Sequence, residues 1–472
     1  MISRRILLGL AAAQLALAGC TGITVPASPD SSQATPPIVF VHGNGDSAAV
    51  WQTTLWRFES NGWPASALHA IDMPYPLARD VDAQAQGGRT STAEAAEFLK
   101  REVAKVLTST GASKVVLVGN SRGGNAIRNY IANYGGDKTV SHAVLGGTPN
   151  HGVWAIKGFR EGNEFSGTGP FLTALNAAKN ANGDEVTGPV LWLTVRSSNN
   201  DKFAQPDGLW IGAPGTPTNV AFEGPALKGA TNVVLAGIDH RETSFSPQAF
   251  AAAYTFITGK APQATAISKQ TNLVLNGKLT GLGLSPLDAA SGNFVNNLPL
   301  LDAQLVVYAT DSATGNRNGA AVHSKTVGAD GMWGPFAAAP GVQYEFVIQA
   351  PGYATTHIYR SAFVRSSGIV HLRAERLQEA DKAGAASITL ARPRGYLDAQ
   401  RDRMVFDGAT ALPGVPAKGA GVSSSKLLLK ATTGPPQLRA VAAEFNSEKI
   451  TGLTWPGSEP TSAHVVILEL TY

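Results

Sequence analysis

The sequence predicts an α/β domain with a mostly parallel sheet, followed by an all-β region of the sandwich or barrel type. Two observations support this. Between residues 37 and 262, short apolar runs rich in Val, Ile and Leu alternate with stretches of helical periodicity. This alternation is typical of right-handed crossovers and of a parallel sheet covered on both faces. After residue 265, short strand-like runs and turn-rich pieces replace it.

Local patterns predict the elements of the α/β part. Ser91 and Glu94 fit a capping box, which begins a helix that the apolar spacing extends to Leu107. Further helices are predicted at Arg122–Tyr134 and from Pro247 onwards. Apolar runs predict strands at Ile38–Val41, Leu68–Met73, Lys114–Gly119, Val140–Leu145, Pro189–Arg196 and Asn232–Ala236.

The β-rich part is predicted to contain two pieces. A β domain covers residues 265–377, and residues 378–472 form a second β unit or continue the first. The only helical signal lies around Glu375–Lys382. Strands are predicted at Ala303–Thr310, Gln343–Gln349, Ile369–Arg373, Ala386–Ala391, Leu427–Lys430 and His464–Tyr472.

The first 20 residues have the features of an export signal. Arg4 and Arg5 precede an apolar stretch too short to span a bilayer. Leu17–Cys20 resembles a bacterial lipobox, which predicts acylation of Cys20 and membrane association through that anchor. Residues 21–36 would form a flexible tether. The expected location is the cell envelope as a lipoprotein; the alternative is ordinary cleavage and a secreted protein.

Composition excludes several classes of protein. Of 472 residues, 43% are hydrophobic and 15% are charged, with 51 Gly and 28 Pro, which excludes collagen, coiled coils and intrinsic disorder. The net charge is only +4 and no Lys/Arg run occurs, so no nucleic-acid partner is expected. The single cysteine allows neither an internal disulfide nor a Cys-based metal site. No metal and no cofactor are predicted.

Gly119–Gly123 has the pattern G-x-S-x-G. It follows an apolar strand and precedes a helix, which is the setting of a nucleophile elbow. Glycines on both sides of the serine allow the sharp turn that exposes its Oγ, and the nearby helix N-terminus favours developing negative charge. Ser121 is therefore the predicted nucleophile. The alternative is a serine N-cap beside a glycine-rich turn.

A serine nucleophile needs N–H donors for the oxyanion that forms during acyl transfer. The glycine-rich loop His42–Gly45 follows the first strand, where enzymes with a nucleophile elbow place one donor. The main-chain N–H groups of Asn44 and Arg122 are the predicted oxyanion hole. The alternative is a glycine-rich loop without a ligand.

His240 is the predicted general base. It follows the last predicted strand of the α/β part, and the base of such a triad comes after the acid in the chain. His69 and His142 fall within predicted strands, and His151 precedes any plausible acid. The alternative for His240 is a solvated loop histidine.

Asp201 is the predicted acid, because it lies just beyond the strand that ends near Arg196. Asp207 is the second candidate and could instead be a turn residue. Asp239 and Glu242 lie too close to the base along the chain to approach its Nδ1 from behind. Asp72 precedes Ser121, and a structural role is expected for it.

These motifs give the segment from Ile38 to Gly259 a resemblance to α/β-hydrolases of the bacterial lipase type. The resemblance is carried by Val41–Gly43, Gly119–Gly124, Gly146–Gly152 and Ser197–Asp201. It implies hydrolysis of triacylglycerols or other carboxylic esters by a triad of Ser121, Asp201 and His240. The layout, with about 200 residues of β structure at the C-terminal end, is similar to archaeal-type lipases with a lipid-handling β domain.

The segment Trp154–Thr187 is longer than an ordinary connection between strands. Its apolar members would form a lid and acyl-chain pocket, or would anchor the loop to the core; they are Phe159, Phe165, Phe171 and Leu172. A lipase is the expected function. A short-chain esterase, an aliphatic polyester depolymerase, and a surface binding protein with a degenerate hydrolase domain are the alternatives. The oligomeric state is left open.

Overall fold

The computed structural model describes residues 35–224, 226–282, 295–430, 438–457 and 463–472. The predicted signal peptide, Cys20 and most of the predicted tether lie outside these ranges and stay predictions. In the ranges above, no helix is both long enough and apolar enough to cross a bilayer.

One six-stranded sheet organises the first half of the chain. The strands of this half are β1 (Ile38–Val41), β2 (Leu68–Ile71), β3 (Leu77–Ala78), β4 (Arg89–Thr90), β5 (Val115–Asn120), β6 (Val140–Gly146), β7 (Leu191–Ser197) and β8 (Thr231–Leu235). The sheet has the order β2-β1-β5-β6-β7-β8, and each neighbouring pair is parallel. The two short strands β3 and β4 pair with each other. The predicted parallel sheet is confirmed.

Helices cover both faces of this sheet. They are α1 (Gln52–Ser60), α2 (Thr92–Thr110), α3 (Arg122–Asn133), α4 (Pro170–Leu175), α5 (Glu242–Phe245) and α6 (Pro247–Thr258). The predicted capping box is present: Ser91 Oγ accepts from the main chain of Glu94, whose carboxylate accepts in return from the main chain of Ser91. Helix α2 ends at Gly111, which has a left-handed conformation with φ 69°.

Alternate side chains of β1 enter two separate cores. Val39 and Val41 belong to the apolar cluster formed with α2 and α3. Ile38 and Phe40 belong to the cluster on the opposite face, which contains Trp51, Phe58 and Phe250. Because every side chain of β1 is buried, the strand has to be apolar throughout rather than alternating.

The second half of the chain is rich in strands, as predicted. They are β9 (Leu273–Leu275), β10 (Leu279–Gly281), β11 (Gln304–Thr310), β12 (His323–Thr326), β13 (Phe336–Ala338), β14 (Gln343–Gln349), β15 (Thr355–Arg360), β16 (Leu372–Ala374), β17 (Ala386–Ala391), β18 (Met404–Phe406), β19 (Ser424–Leu429), β20 (Ala440–Phe445), β21 (Glu448–Leu453) and β22 (His464–Glu469). The helical signal around Glu375–Lys382 corresponds to one 3-10 turn at Glu379–Asp381.

A seven-stranded sheet with the order β12-β11-β14-β15-β22-β17-β19 dominates this half. It contains strands from both sides of residue 377. Strand β22 lies between β15 and β17 and runs parallel to both, while the other neighbours are antiparallel. A separate three-stranded sheet, β18-β20-β21, lies beside it.

The two halves are in direct contact. Trp56 of α1 is buried in the apolar cluster of the second half, and its Nε1 donates to the carbonyl oxygen of Ser366 at 2.8 Å. Asp72 accepts from Lys278 at 2.9 Å and lies 2.8 Å from His371 Nε2. Asp72, which follows β2, therefore joins the halves, in agreement with the structural role expected for it.

Candidate active site

Ser121 occupies the junction between β5 and α3. Its backbone has φ 52° and ψ −121°, a conformation that costs energy for any residue with a side chain. The glycines that flank Ser121 are required because other parts of the main chain approach them closely. A Cβ at Gly119 would lie 2.8 Å from the main-chain nitrogen of Gly124, and a Cβ at Gly123 would overlap the carbonyl oxygen of Val41. The predicted sharp turn is present.

His240 and Asp201 are brought together by the topology of the sheet. Asp201 follows β7 and His240 follows β8, and these neighbouring parallel strands end at the same edge. Asp201 Oδ2 lies 2.8 Å from His240 Nδ1, and both side chains are buried. The ring of Phe203 packs against the imidazole, with 4.7 Å between centroids.

Asp207 does not contact His240. It is exposed, and its Oδ1 accepts from the main-chain N–H of Leu209 at 2.9 Å, as a turn residue would. Among the two candidate acids, the geometry therefore favours Asp201.

Ser121 and His240 line one cavity of about 350 Å³. One wall of it is apolar and comes from two segments that follow strands β6 and β7. This wall consists of Val153, Trp154, Phe165, Phe203, Trp210 and Ile211. An apolar and aromatic lining of this kind is typical of pockets that bind small molecules.

The apolar residues of the segment Trp154–Thr187 have different surroundings. Trp154 and Phe165 line the cavity, whereas Leu172 is fully buried and anchors α4. Phe171 lines a different, smaller cavity beside Arg122. The sequence did not predict the contribution of residues 203–211, which come from the loop after the acid.

The two predicted oxyanion donors belong to different parts of the domain, Asn44 to the loop after β1 and Arg122 to the start of α3. Asn44 lines the same cavity, and its Oδ1 accepts from the main-chain N–H of Ala78 at 2.8 Å, which holds the loop after β1 in place. The guanidinium of Arg122 is buried and donates to both carboxylate oxygens of Glu164 at 2.8 Å. The main-chain N–H of Arg122 is thus the group that can fill the predicted role.

The other histidines considered from sequence have separate partners. His42 Nε2 accepts from the main-chain N–H of Met73 at 3.0 Å, and burial lowers the pKa of His42. His151 Nε2 lies 2.9 Å from Glu185. His69 and His142 lie within β2 and β6, as predicted, and burial lowers the pKa of both.

The C-terminal half of the chain contacts the loop that carries His240 and holds it in place. The sequence did not predict this contact. Arg392 and Arg401 each donate to both Asp239 and Glu242, the carboxylates on either side of the histidine. The distances to Asp239 and Glu242 are 3.3 and 2.7 Å from Arg392 and 3.4 and 2.6 Å from Arg401. Burial and the neighbouring Asp239 raise the pKa of Glu242.

The C-terminal half also contributes to the lining of the cavity. The main-chain N–H of Tyr396 donates to Asp239 at 2.6 Å, and the Tyr396 side chain lines the cavity with Ser423. We name residues 392–401 the clamp segment. A buried carboxylate such as Asp239 needs these donors, because an unpaired buried charge is strongly destabilising. Over the described ranges, no group of three or more His, Cys, Asp or Glu side chains is arranged to hold a metal ion.

Two stretches of the chain match sequence models of known families. Residues 38–265 match the sequence model of the alpha/beta hydrolase family, and residues 271–377 match that of the lipase C-terminal domain. Solved structures found by similarity include the mature form of lipase BlEst2 from Bacillus licheniformis, at 20% identity over 49% of this chain and 94% of that chain, with a TM-score of 0.33. Lipase B from Aspergillus fumigatus matches at 15% identity over 51% of this chain and 56% of its own, with a TM-score of 0.34.

Proposed function

We propose that the chain is a hydrolase of the lipase and esterase type, which cleaves carboxylic esters through a serine acyl-enzyme intermediate. The matches of residues 38–265 to the alpha/beta hydrolase family and of residues 271–377 to the lipase C-terminal domain support the proposal. The observation that carries the proposal is the contact of 2.8 Å between Asp201 and His240, beside a cavity that His240 and Ser121 both line.

In the proposed mechanism, His240 removes the proton of Ser121 while the serine Oγ attacks the ester carbonyl carbon. Asp201 holds the imidazole in one orientation and stabilises the cation that forms. His240 then gives the proton to the departing alcohol. A water molecule then attacks the acyl-enzyme while His240 takes one of its protons. His240 returns this proton to Ser121 Oγ as the bond to the acyl group breaks and the acid is released. None of these steps requires a cofactor.

The tetrahedral oxyanion is proposed to bind the main-chain N–H groups of Asn44 and Arg122. Loss of one such donor typically costs about 2.7–4 kcal/mol of transition-state stabilisation. Because both donors belong to the main chain, the position of the loop after β1 matters more than the identity of its side chains. The contact between Asn44 Oδ1 and Ala78 supports that position.

We propose a lipase acting on acyl chains of medium or greater length, since six apolar side chains line the cavity. The short-chain esterase and the polyester depolymerase differ from it in the acyl group accepted. Rates on p-nitrophenyl esters from C2 to C16 separate these functions: a lipase keeps its activity beyond C6, and a collapse of the rate there would contradict the lipase assignment.

The nucleophile is tested with protein lacking residues 1–20. We expect Ser121→Ala to lower kcat on p-nitrophenyl esters at least about 10³-fold, because no other hydroxyl can take its place at the elbow. Ser109→Ala, at the end of α2 and remote from the cavity, is the matched control. Unfolding curves should show that both variants are folded. A Ser121→Ala protein that keeps most of its turnover would contradict the proposal.

A further inference from the structure

The cavity that Ser121 and His240 line has an excess of positive charge. Four charged side chains line it: Asp46, Arg160, Lys202 and Arg241. Arg241 and Asp46 neutralise each other, with 2.7 Å between Nη2 and Oδ1. Lys202 and Arg160 form no ion pair with any residue in the described parts of the chain. Two of the cations that line the cavity therefore have no carboxylate in direct contact.

Lys202 lies inside the cavity among aromatic rings. Its Nζ is 4.3 Å from the ring centroid of Tyr396, 5.0 Å from Trp210 and 5.1 Å from Phe203. Aromatic faces stabilise a cation, but they supply neither hydrogen-bond acceptors nor a negative charge. Burial lowers the pKa of Lys202 to about 8. The ammonium has thus lost part of its hydration and has no anion within ion-pair distance.

Each carboxylate that faces Lys202 has a closer partner than the ammonium. Its electrostatic neighbours are three acids, one arginine and the phenol of Tyr396, whose pKa burial raises well above 10 and which therefore stays neutral. The acids are paired as follows: Asp46 with Arg241, Asp201 with His240, and Asp239 with Arg392 and Arg401. Among the described residues, none of these carboxylates contacts the ammonium directly, so its N–H groups stay available to a ligand.

Arg160 adds a second cation at the exposed rim of the same cavity. Its guanidinium donates to the carbonyl oxygen of Ile211 at 3.2 Å and lies 4.8 Å from the ring of Phe159. The remaining guanidinium N–H groups are not needed for these contacts. A cleft lined by one sign of charge attracts ligands of the opposite sign and raises their local concentration.

We propose that this cavity selects esters that carry an anionic group close to the ester bond, and that Lys202 binds that group. The shared chemistry is a carboxylate or phosphate on an otherwise apolar ester. It occurs in monoesters of dicarboxylic acids and in the headgroup of anionic phospholipids. The inference rests on the proposed ester hydrolase function and adds the substrate class. The apolar wall holds the acyl chain, while Lys202 and Arg160 supply the positive charge that faces the anionic group.

The test compares matched pairs of soluble esters at pH 7. One arm uses monoethyl adipate against ethyl hexanoate, and the other uses dihexanoyl phosphatidic acid against dihexanoylglycerol. We expect kcat/KM to be about tenfold higher for the anionic member, a difference of about 1.4 kcal/mol. Lys202→Gln should remove this preference, mainly through KM, and Lys202→Arg should retain it. Lys157→Gln, at an exposed position outside the cavity, is the control and should keep the preference.

The two arms distinguish the source of the anionic group. A preference in the first arm alone assigns dicarboxylic monoesters, and a preference in the second alone assigns phospholipids. A wild-type ratio near one in both arms, or a ratio that Lys202→Gln leaves unchanged, overturns the inference while ester hydrolysis stands. Hydrolysis of none of the four esters overturns the proposed function as well.

The pH dependence gives a second readout. Lys202 is charged below about pH 8 and loses its proton above it. The preference for the anionic ester should therefore be complete at pH 6–7 and decline as the pH rises through 8, whereas Lys202→Arg should retain it at pH 9.5. A wild-type preference that is constant from pH 6 to pH 9.5 would contradict the role of Lys202.

Discussion

Asp201 and Asp207 share one loop but have different surroundings. Asp201 is 6% exposed and lies 2.8 Å from His240 Nδ1. We expect Asp201→Asn to lower kcat by roughly 10³–10⁴-fold, because the amide no longer stabilises the protonated imidazole or its required tautomer. Asp207→Asn, the matched control in the same loop, should change kcat less than about twofold. Steady-state kinetics on a soluble ester decides this, and the reverse ranking would transfer the role of acid to Asp207.

Single residues of the proposed site could be predicted where the backbone alone determines their position. Ser121, Asp201 and His240 each follow an apolar strand, and parallel strands end at one edge of the sheet. Lys202 could not be predicted in the same way. Its importance comes from Trp210 and Tyr396, and the latter is almost 200 residues away in the sequence.

Among the contacts between elements, those made by the clamp segment have the clearest consequence. Arg392 is almost completely buried between Asp239 and Glu242, so its loss removes one of the two arginines that hold both carboxylates beside His240. We expect Arg392→Gln to lower kcat on a soluble ester by roughly 10²-fold with little change in KM, because a displacement of about 1 Å is enough for such a loss. Arg392→Lys should restore part of the rate.

Arg403→Gln is the control for this prediction, since Arg403 is exposed and contacts neither Asp239 nor Glu242. A structural role alone would lower the free energy of unfolding and leave kcat of the folded protein unchanged. Wild-type kcat in folded Arg392→Gln would therefore contradict a positioning role for the clamp segment.

Some elements could be predicted from the sequence and others could not, and the difference has a physical reason. Helix α2 and strand β1 follow from local signals, a capping box and a continuous apolar run. The loop between β7 and β8 has little regular structure, yet it supplies Phe203, Trp210 and Ile211 to the cavity. Such a segment takes its shape from tertiary contacts, and no periodicity in the sequence reports them.

For the whole molecule, the sequence prediction of the fold class is confirmed: an α/β-hydrolase domain with a parallel sheet is followed by a strand-rich region. Contacts between the two parts could not be predicted, because Arg392 and Asp239 are separated by more than 150 residues. The sequence shows which residues are arginines and which are carboxylates, but it does not show which of them pair.

The stability of the whole molecule at acid pH depends on three side chains that contact one another across neighbouring strands of the seven-stranded sheet. Glu345 Oε1 lies 2.7 Å from His357 Nδ1, and His357 Nε2 lies 2.8 Å from His464 Nδ1. Burial and the neighbouring His357 lower the pKa of His464 from 6.5 to about 4. Since the unfolded chain takes up this proton more readily, stability is complete above pH 6.5 and is lost as the pH falls towards 4.

We expect the free energy of unfolding of the wild type to fall by about 1–2 kcal/mol more than that of His464→Gln between pH 7.5 and 4.5, after allowance for partial solvent exposure. Urea unfolding at the two pH values measures this. His323→Gln, in the same half of the chain but outside this chain of contacts, should follow the wild type. Parallel pH dependences for wild type and His464→Gln would contradict the prediction.

The position of β22 has a consequence for dissecting this protein. Its neighbours β15 and β17 precede it by many residues, so the centre of the sheet closes through pairings of high contact order, which form slowly. A fragment cut after residue 377 would leave β15 as an unprotected edge with free N–H and C=O groups. Such a fragment is expected to self-associate by adding strands to that edge, so engineering should keep residues 265–472 together.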